Sequence, residues 1–184
     1  MEINGKRIYL KILTTKDDLT NYLRWMNDSD IVRFTESKGK SYSQEDLNDY
    51  ISAMSNDKNH FFGVYLNNDN RHIGNIKLGD INIVHKRADI GLIIGEKDLW
   101  GQGFGTEAIE LLIAYAFKEL NLRKVVAGMY ADNLGSYKAF LKSGFKECGR
   151  LKDNVFLEGR FIDGILVEKI NENYKSKEIT KVQK

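Results

Sequence analysis

The chain has 184 residues, of which 42% are hydrophobic and 29% are charged. This length accommodates one domain with its own core, and the composition excludes a disordered chain. The formal net charge is +2, from 28 basic and 26 acidic residues, which gives no indication of nucleic acid or an anionic membrane as a partner.

The sequence has no signal for a disulfide framework, a metal centre or a membrane location. Cys148 is the single cysteine, and the three histidines lack metal-ligand spacing. We expect Cys148 to be a small buried residue. No apolar run approaches the roughly 20 residues of a membrane helix, and polar residues interrupt 1–10, where a signal peptide would be apolar. These features predict a metal-independent cytoplasmic protein.

The N-terminal third predicts one strand followed by two helices. Alternation of apolar and polar residues predicts a strand over 7–13. Thr14 or Thr15 is the expected N-cap of the first helix, and Ser43 that of the second. Helical spacing of apolar residues predicts the two helices at 17–26 and 44–54. The polar segment between them, 27–42, is predicted to be a loop.

The middle of the chain predicts an antiparallel meander followed by a long amphipathic helix. Residues 67–70 (NNDN) supply the first hairpin turn. Residues 106–120 carry one apolar stripe opposite a charged face, which is typical of a helix. The strands are short β-branched or aromatic stretches at 61–66, 71–78 and 88–94.

The C-terminal third predicts a short helix surrounded by strands. The helix covers 134–143 and is closed by Gly144. A domain over 1–170 is then followed by a polar tail, 171–184, which we expect to fray. The whole order predicts an α/β domain of mixed α+β type, with a central, largely antiparallel twisted sheet flanked by helices. The closing strands are predicted at 124–130, 145–151, 155–157 and 161–168.

A glycine-rich turn precedes the long helix. Glycines let backbone N–H groups approach a ligand, and a helix N-terminus adds partial positive charge, which together favour a phosphate or pyrophosphate. A P-loop would need Gly-Lys-Ser/Thr at this point, but Gly105 is followed by Thr106 and Glu107, so the turn is not a P-loop. The dinucleotide fingerprint fits 103–108 but should directly follow its strand, from which 95–99 separate it. The turn comprises Trp100, Gly101, Gln102, Gly103, Phe104, Gly105 and Thr106.

Residues 100–108 (WGQGFGTEA) closely resemble the acetyl-CoA signature of the GCN5-related N-acetyltransferases (GNAT), especially the subgroup that acetylates ribosomal proteins. The family pattern, Arg or Gln followed by x-x-Gly-x-Gly/Ala, is met at Gly103 and Gly105. Trp100 takes the first position, a departure that leaves the backbone donors intact. The remaining interpretation of the turn alone is a ligand-free helix cap.

Three further blocks support this resemblance over roughly residues 9–169. Segment 133–145 is similar to the family's later motif, an Asn, then Ser or Ala three residues on, then Lys six further, then x-Gly-Phe. Segments 88–94 and 158–163 also match the subgroup, in the same order along the chain. Four ordered blocks at consistent spacing are far more specific than one glycine-rich turn.

The resemblance implies direct transfer of an acetyl group from acetyl-CoA to a primary amine, without a metal. Backbone N–H groups at Ile93 and Ile94 would bind the thioester carbonyl. Asn133 would contact the pantetheine arm, although Asn133 alone also fits a helix N-cap. The implied cofactor-binding residues are therefore Ile93, Ile94, the turn 100–106, Asn133 and Lys142.

The reaction needs a base, because a lysine-like ammonium with a pKa of about 10.4 must lose a proton before it attacks. The subgroup usually places an acidic residue where Asp89 stands. Aspartate is one methylene shorter than the usual glutamate, so relay through water is expected. The alternative is an exposed carboxylate paired with Lys86 or Arg87.

The acid that protonates the leaving thiolate is less evident. Many family members have a tyrosine where this chain has Phe140. Ser136 is the nearest hydroxyl and the candidate donor, whereas Tyr137 follows it directly and should point to another face of the helix.

The loop 27–42 forms one wall of the acceptor site in the family. Arg33, Glu36 and Tyr42 are the implied substrate-binding residues, and Asp28 and Asp30 add acidic charge suited to a cationic amine, although solvated loop charge is the alternative. The subgroup's acceptors include protein N-termini, polyamines, antibiotic amines and amino-sugar nucleotides, and the sequence does not choose among them. A homodimer is common in the subgroup. A weakly catalytic acyl-CoA-binding module and a nicotinamide-dinucleotide-binding protein remain alternatives.

Overall fold

The structure, a computed structural model, describes residues 1–175 and joins the strands in this range into one eight-stranded sheet. The spatial order is β1-β2-β3-β4-β5-β6-β8-β7, and every neighbouring pair is antiparallel except β5 and β6. This confirms the predicted mixed α/β class. The strands are β1 (Glu2–Asn4), β2 (Ile8–Ile12), β3 (His60–Leu66), β4 (His72–Asn82), β5 (Arg87–Ile94), β6 (Lys124–Tyr130), β7 (Lys146–Leu157) and β8 (Arg160–Ile170).

Helices cover both faces of the sheet because strand residues alternate between two apolar clusters. Phe62 belongs to the cluster that packs under the third helix, whereas its neighbour Phe61 belongs to the cluster around Trp25 of the first helix. No helix among residues 1–175 is long and apolar enough to cross a membrane. The helices are α1 (Thr20–Met26), α2 (Gln44–Ala53), α3 (Phe104–Lys118) and α4 (Leu134–Lys142).

The β5–β6 pair diverges after three residues, and this divergence positions the site described below. Parallel pairing joins Arg87–Asp89 to Lys124–Val126 and then stops. Beyond it β5 stays with β4 up to Ile94, while β6 stays with β8 up to Tyr130. One edge of the β5 backbone over 90–94 therefore has no strand partner among residues 1–175.

The helix starts show where local patterns were misleading. Neither Thr14 nor Thr15 caps α1, which begins at Thr20 after the N-cap position Leu19. The Asp17 carboxylate instead accepts hydrogen bonds from the Thr14 backbone and hydroxyl and from Lys11 Nζ. Because these bonds hold the Asp17 side chain against the preceding loop, the helix starts further along the chain.

Ser43, by contrast, caps α2 as predicted. Its hydroxyl accepts from the Asp46 backbone N–H at 3.2 Å, and the Asp46 carboxylate accepts from the Ser43 backbone N–H at 2.7 Å. This reciprocal capping box satisfies two helix-end donors.

The remaining differences concern strands and the C-terminus. The structure adds the short β1, and one bulged strand, β7, replaces two predicted strands. Cys148 is exposed on β7, so its expected burial was wrong. Asn171, the first residue of the predicted tail, donates its backbone N–H to the Arg123 carbonyl at 2.8 Å, and residues 176–184 lie outside the described residues.

Two glycines near the divergence should differ sharply in their tolerance of a methyl group. A Cβ on Gly95 would lie 2.0 Å from Cδ2 of Trp25, whereas a Cβ on Gly91 would lie 3.9 Å from its nearest neighbour, Lys77 Cε. We expect Gly95→Ala to lower the free energy of unfolding by about 3 kcal/mol through overpacking. Gly91→Ala is the matched control and should change it by less than about 0.5 kcal/mol. Urea unfolding measures both, and equal stabilities would contradict the packing described here.

Candidate active site

The glycine-rich turn builds an anion-binding helix N-terminus beside the open edge of β5. Gly101 and Gly103 have φ of +77° and +84°, values that favour glycine, and Gly103 is the N-cap of α3. The first N–H groups of α3, from Phe104 onward, have no acceptor within the helix. A Cβ on Gly105 would lie 3.3 Å from Leu92, so the turn packs closely against β5. The geometry suits a phosphate or pyrophosphate.

Side chains of the turn hold it against the end of β5. The Trp100 indole Nε1 donates to the Ile94 carbonyl at 2.7 Å, with the ring 47% exposed. Gln102 Nε2 donates to the Asp98 carbonyl at 2.7 Å. These bonds fix the turn relative to the unpaired strand edge.

Arg7 is a functional candidate that the sequence interpretation missed. Its backbone N–H and its Nε each donate to the Glu107 carboxylate at 2.8 Å, and its Nη1 donates to the Gln102 carbonyl at 2.9 Å. Its guanidinium also lies 4.3 Å from the centre of the Phe104 ring. Arg7, the residue just before β2, thus binds both the glycine-rich turn and the first helical turn of α3. Nothing local to residue 7 indicates a partner 100 positions away.

A cavity of ≈ 530 Å³ lies next to the contacts that Arg7 makes with the turn and with α3. It brings Lys142 of α4 to the same surface as the turn. Its lining mixes three cationic side chains with two carboxylates, one of which Arg7 neutralises. The lining residues used here are Lys6, Arg7, Gly103, Thr106, Glu107, Glu110 and Lys142.

Asp89 lies where β5 leaves β6, four residues before Ile93. Its side chain is on the α2 face of the sheet, because Ile93, an even number of residues away, packs against the cluster on that face. Lys77 Nζ is 3.8 Å from Asp89 Oδ2, so the structure pairs this carboxylate with Lys77 rather than with Lys86 or Arg87.

The environment of Asp89 favours its protonated form. Burial raises the pKa of the carboxyl group, Lys77 opposes this, and the neighbouring Asp80 adds to it. Oδ1 is buried and has no hydrogen-bond partner among residues 1–175. A half-buried carboxylate with one unbonded oxygen and a raised pKa is typical of a catalytic base.

Helix α4 and its N-cap carry the four residues considered as acid or as cofactor contact, and they point in different directions. Asn133 Oδ1 accepts from the Ser136 backbone N–H at 3.1 Å, so the N-cap role is realised. Tyr137 donates its hydroxyl to Glu147 at 2.9 Å and therefore points toward β7. Phe140 is 3% exposed and packs edge-on against Phe145. Within the described residues the Ser136 hydroxyl makes no hydrogen bond.

The predicted acceptor-site residues divide into two groups. Glu36 accepts a hydrogen bond from the Tyr130 hydroxyl at 2.6 Å, and burial together with this bond raises the pKa of Tyr130 to about 12. Arg33 makes two bonds to Glu158, at 2.9 and 2.7 Å. Both residues thus lie against the C-terminal strands. Tyr42 instead donates to Ser37 Oγ at 2.9 Å inside its own loop.

Comparison with known proteins defines the class. The acetyltransferase (GNAT) domain family matches residues 7–146. The chain is 30% identical over 168 residues to a Bacillus subtilis (strain 168) protein named "Probable N-acetyltransferase YjcK", covering 88% of this chain and 92% of that protein. The chain therefore belongs to the GNAT acetyltransferase family, which confirms the resemblance found at the glycine-rich turn.

Solved structures show the same fold. The spermidine N-acetyltransferase of Vibrio cholerae, in complex with CoA and spermine, aligns with a TM-score of 0.81 at 24% identity, over 92% of this chain and 99% of that chain. The ribosomal-protein-S5-alanine acetyltransferase of Vibrio fischeri aligns with a TM-score of 0.82 at 19% identity, over 96% of this chain and 100% of that chain.

A charge placed in the turn tests its role as an anion site. Gly105→Asp would put a carboxylate among the free N–H groups of α3, so we expect the Kd of acetyl-CoA to rise at least about tenfold, the loss of one charge-assisted hydrogen bond. Gly159→Asp, where a Cβ meets nothing within 4 Å, is the control and should bind normally. Isothermal calorimetry measures both. Unchanged affinity in a folded Gly105→Asp protein would exclude this turn as the cofactor site.

Proposed function

We propose that this chain transfers the acetyl group of acetyl-CoA directly to a primary amine of an acceptor. The observation that carries the proposal is the open edge of β5 over 90–94, next to the free N–H groups at the start of α3. Unpaired backbone donors of this kind need a polar partner, and a thioester-bearing arm that ends in a pyrophosphate supplies one.

The residues present fit acetyl-CoA along this edge. The pyrophosphate would lie on the turn, beside the cations of Arg7 and Lys142. The pantetheine arm would occupy the gap between β5 and β6, close to Asn133. A backbone N–H at Ile93 or Ile94 would then stabilise the negative charge that develops on the thioester oxygen.

Asp89 is the proposed base on the acceptor side. Its carboxylate takes a proton from the acceptor ammonium through a water, and the freed amine nitrogen forms the C–N bond as the C–S bond breaks. The second proton of that nitrogen passes to the departing CoA sulfur, so the products are the amide and the CoA thiol. The proton on Asp89 then returns to solvent. A raised pKa strengthens Asp89 as a proton acceptor.

The test is an acceptor screen that measures release of free CoA thiol. Turnover with an amine supports the transferase. Tight acetyl-CoA binding without turnover would instead indicate a weakly catalytic acyl-CoA-binding module, which the burial of Phe140 at the family's usual acid position favours.

Replacing the base should change the pH dependence as well as the rate. We expect Asp89→Asn to lower kcat/KM by about 10²–10⁴-fold, with a smaller deficit at high pH, where the amine is already deprotonated. Lys77→Gln removes the cation that lowers the pKa of Asp89, so the acidic limb of the kcat/KM profile should move to higher pH. Wild-type rates of Asp89→Asn across the pH range would remove Asp89 from the mechanism.

Substitutions on α4 test whether an acid is needed at all. A thiol with a pKa of about 8.5 is a tolerable leaving group near neutral pH, so losing its donor should cost less than losing the base. We expect Ser136→Ala to be modestly slower, and Tyr137→Phe, whose hydroxyl is bound to Glu147, to be nearly silent. Phe140→Tyr should be tolerated. Steady-state thiol release measures all three, and a loss above roughly a hundredfold in Tyr137→Phe would identify Tyr137 as the donor instead.

A further inference from the structure

The acidic side chains on the acceptor wall are already engaged. Lys97 Nζ lies 2.9 Å from Asp28 and 2.7 Å from Asp30. Glu36 accepts the hydroxyl of Tyr130. Lys97 therefore offsets part of the negative charge that would attract a polycationic acceptor, and Glu36 is already bonded to a hydroxyl of the protein.

A second cavity, of ≈ 580 Å³, opens beside Asp89 on the side away from the glycine-rich turn. Arg87 and Asp89 both line it and lie two residues apart on β5, so their side chains share one face and their Cα atoms are about 7 Å apart. Lys58, from the segment between α2 and β3, lines the same cavity, as do Asp80 and Asn82.

Taken with Lys77, the charged groups at this cavity are three cations and two carboxylates, Asp80 and Asp89. Neither the Arg87 guanidinium nor the Lys58 ammonium makes an ion pair or a side-chain hydrogen bond among residues 1–175. Asp89 already has Lys77 beside it. With Lys77 set against Asp89 and one cation set against Asp80, one positive charge of the cavity remains without a carboxylate, and an acceptor whose amine reaches Asp89 extends its remaining atoms toward it.

The geometry points to an acceptor that carries an anionic group, a carboxylate or a phosphate, on the side of the reacting amine that faces this cavity. We assign the binding of this anionic group to the cavity of Lys58 and Arg87. A guanidinium fork matches the two oxygens of either anion, and a cationic tail is repelled there. This substrate class rests on the proposed acetyl transfer, and it distinguishes the chain from a polyamine acetyltransferase of the same fold.

Matched acceptors test the class directly. 4-Aminobutyrate, butylamine and putrescine present the same chain of four carbons with an anionic, neutral or cationic end. Glucosamine 6-phosphate and glucosamine form a second pair that separates phosphate from carboxylate. We expect kcat/KM, measured by thiol release, to be at least about tenfold higher for an anionic member than for its neutral or cationic partner, the gain of one charge-assisted hydrogen bond.

Charge variants separate this role from a general effect on catalysis. Arg87→Gln and Lys58→Gln should raise the KM of the anionic acceptor at least about tenfold and leave the KM of butylamine and of acetyl-CoA unchanged. Arg87→Glu should shift the preference toward putrescine. Lys152→Gln, which removes the same charge from an exposed position on β7, is the control and should change none of these values.

Each outcome decides one of the two proposals. A wild-type preference for putrescine or butylamine, or an equal loss with all acceptors in Arg87→Gln, would overturn the anionic class while leaving acetyl transfer intact. Acetyl-CoA binding without turnover of any probe would also overturn it and would favour the acyl-CoA-binding module. Failure to bind acetyl-CoA in calorimetry would instead remove the proposed function itself.

Discussion

The early end of hydrogen bonding between β5 and β6 is the constraint on which the rest of this molecule depends. Pairing over Arg87–Asp89 holds the two halves of the sheet together, and its loss beyond Asp89 exposes a polar backbone edge inside the fold. Unpaired backbone groups are costly unless a partner satisfies them. The divergence therefore opens a slot with an unpaired backbone edge and puts Asp89 at the closed end of this slot.

Long-range side-chain contacts keep the mouth of that slot in place. On one side, Arg7 donates hydrogen bonds to Glu107 and to the turn before α3. On the other side, the Trp25 indole donates to Glu96 at 2.9 Å, just after β5. The segment that connects β5 to α3 is thus anchored by both of its flanks, which limits its freedom while the strand edge stays open. Preorganised backbone donors stabilise a developing charge without first having to reorient.

Electrostatics rather than fold distinguishes the acceptor side of this chain. The same architecture occurs in a spermidine N-acetyltransferase and in a ribosomal-protein acetyltransferase. Here, Lys97 offsets part of the charge of Asp28 and Asp30, and the two cations that line the cavity next to Asp89 form no ion pair in the described residues. The charges around this slot belong to surface side chains, which can change without changing the fold. Proteins of one fold can therefore bind different amines.

The sequence by itself determined the features that short-range patterns encode. The apolar stripe of α3, the Ser43 N-cap and the glycine-rich turn each depend on residues a few positions apart. Ser43 caps α2 as predicted, and α3 follows the turn directly, two residues earlier than the predicted 106–120. The tertiary structure alone decided the pairings of Arg7 with Glu107 and of Asp89 with Lys77, together with the exposure of Cys148. These depend on sheet order and register, which bring distant segments together, and no local periodicity records which side chains then meet.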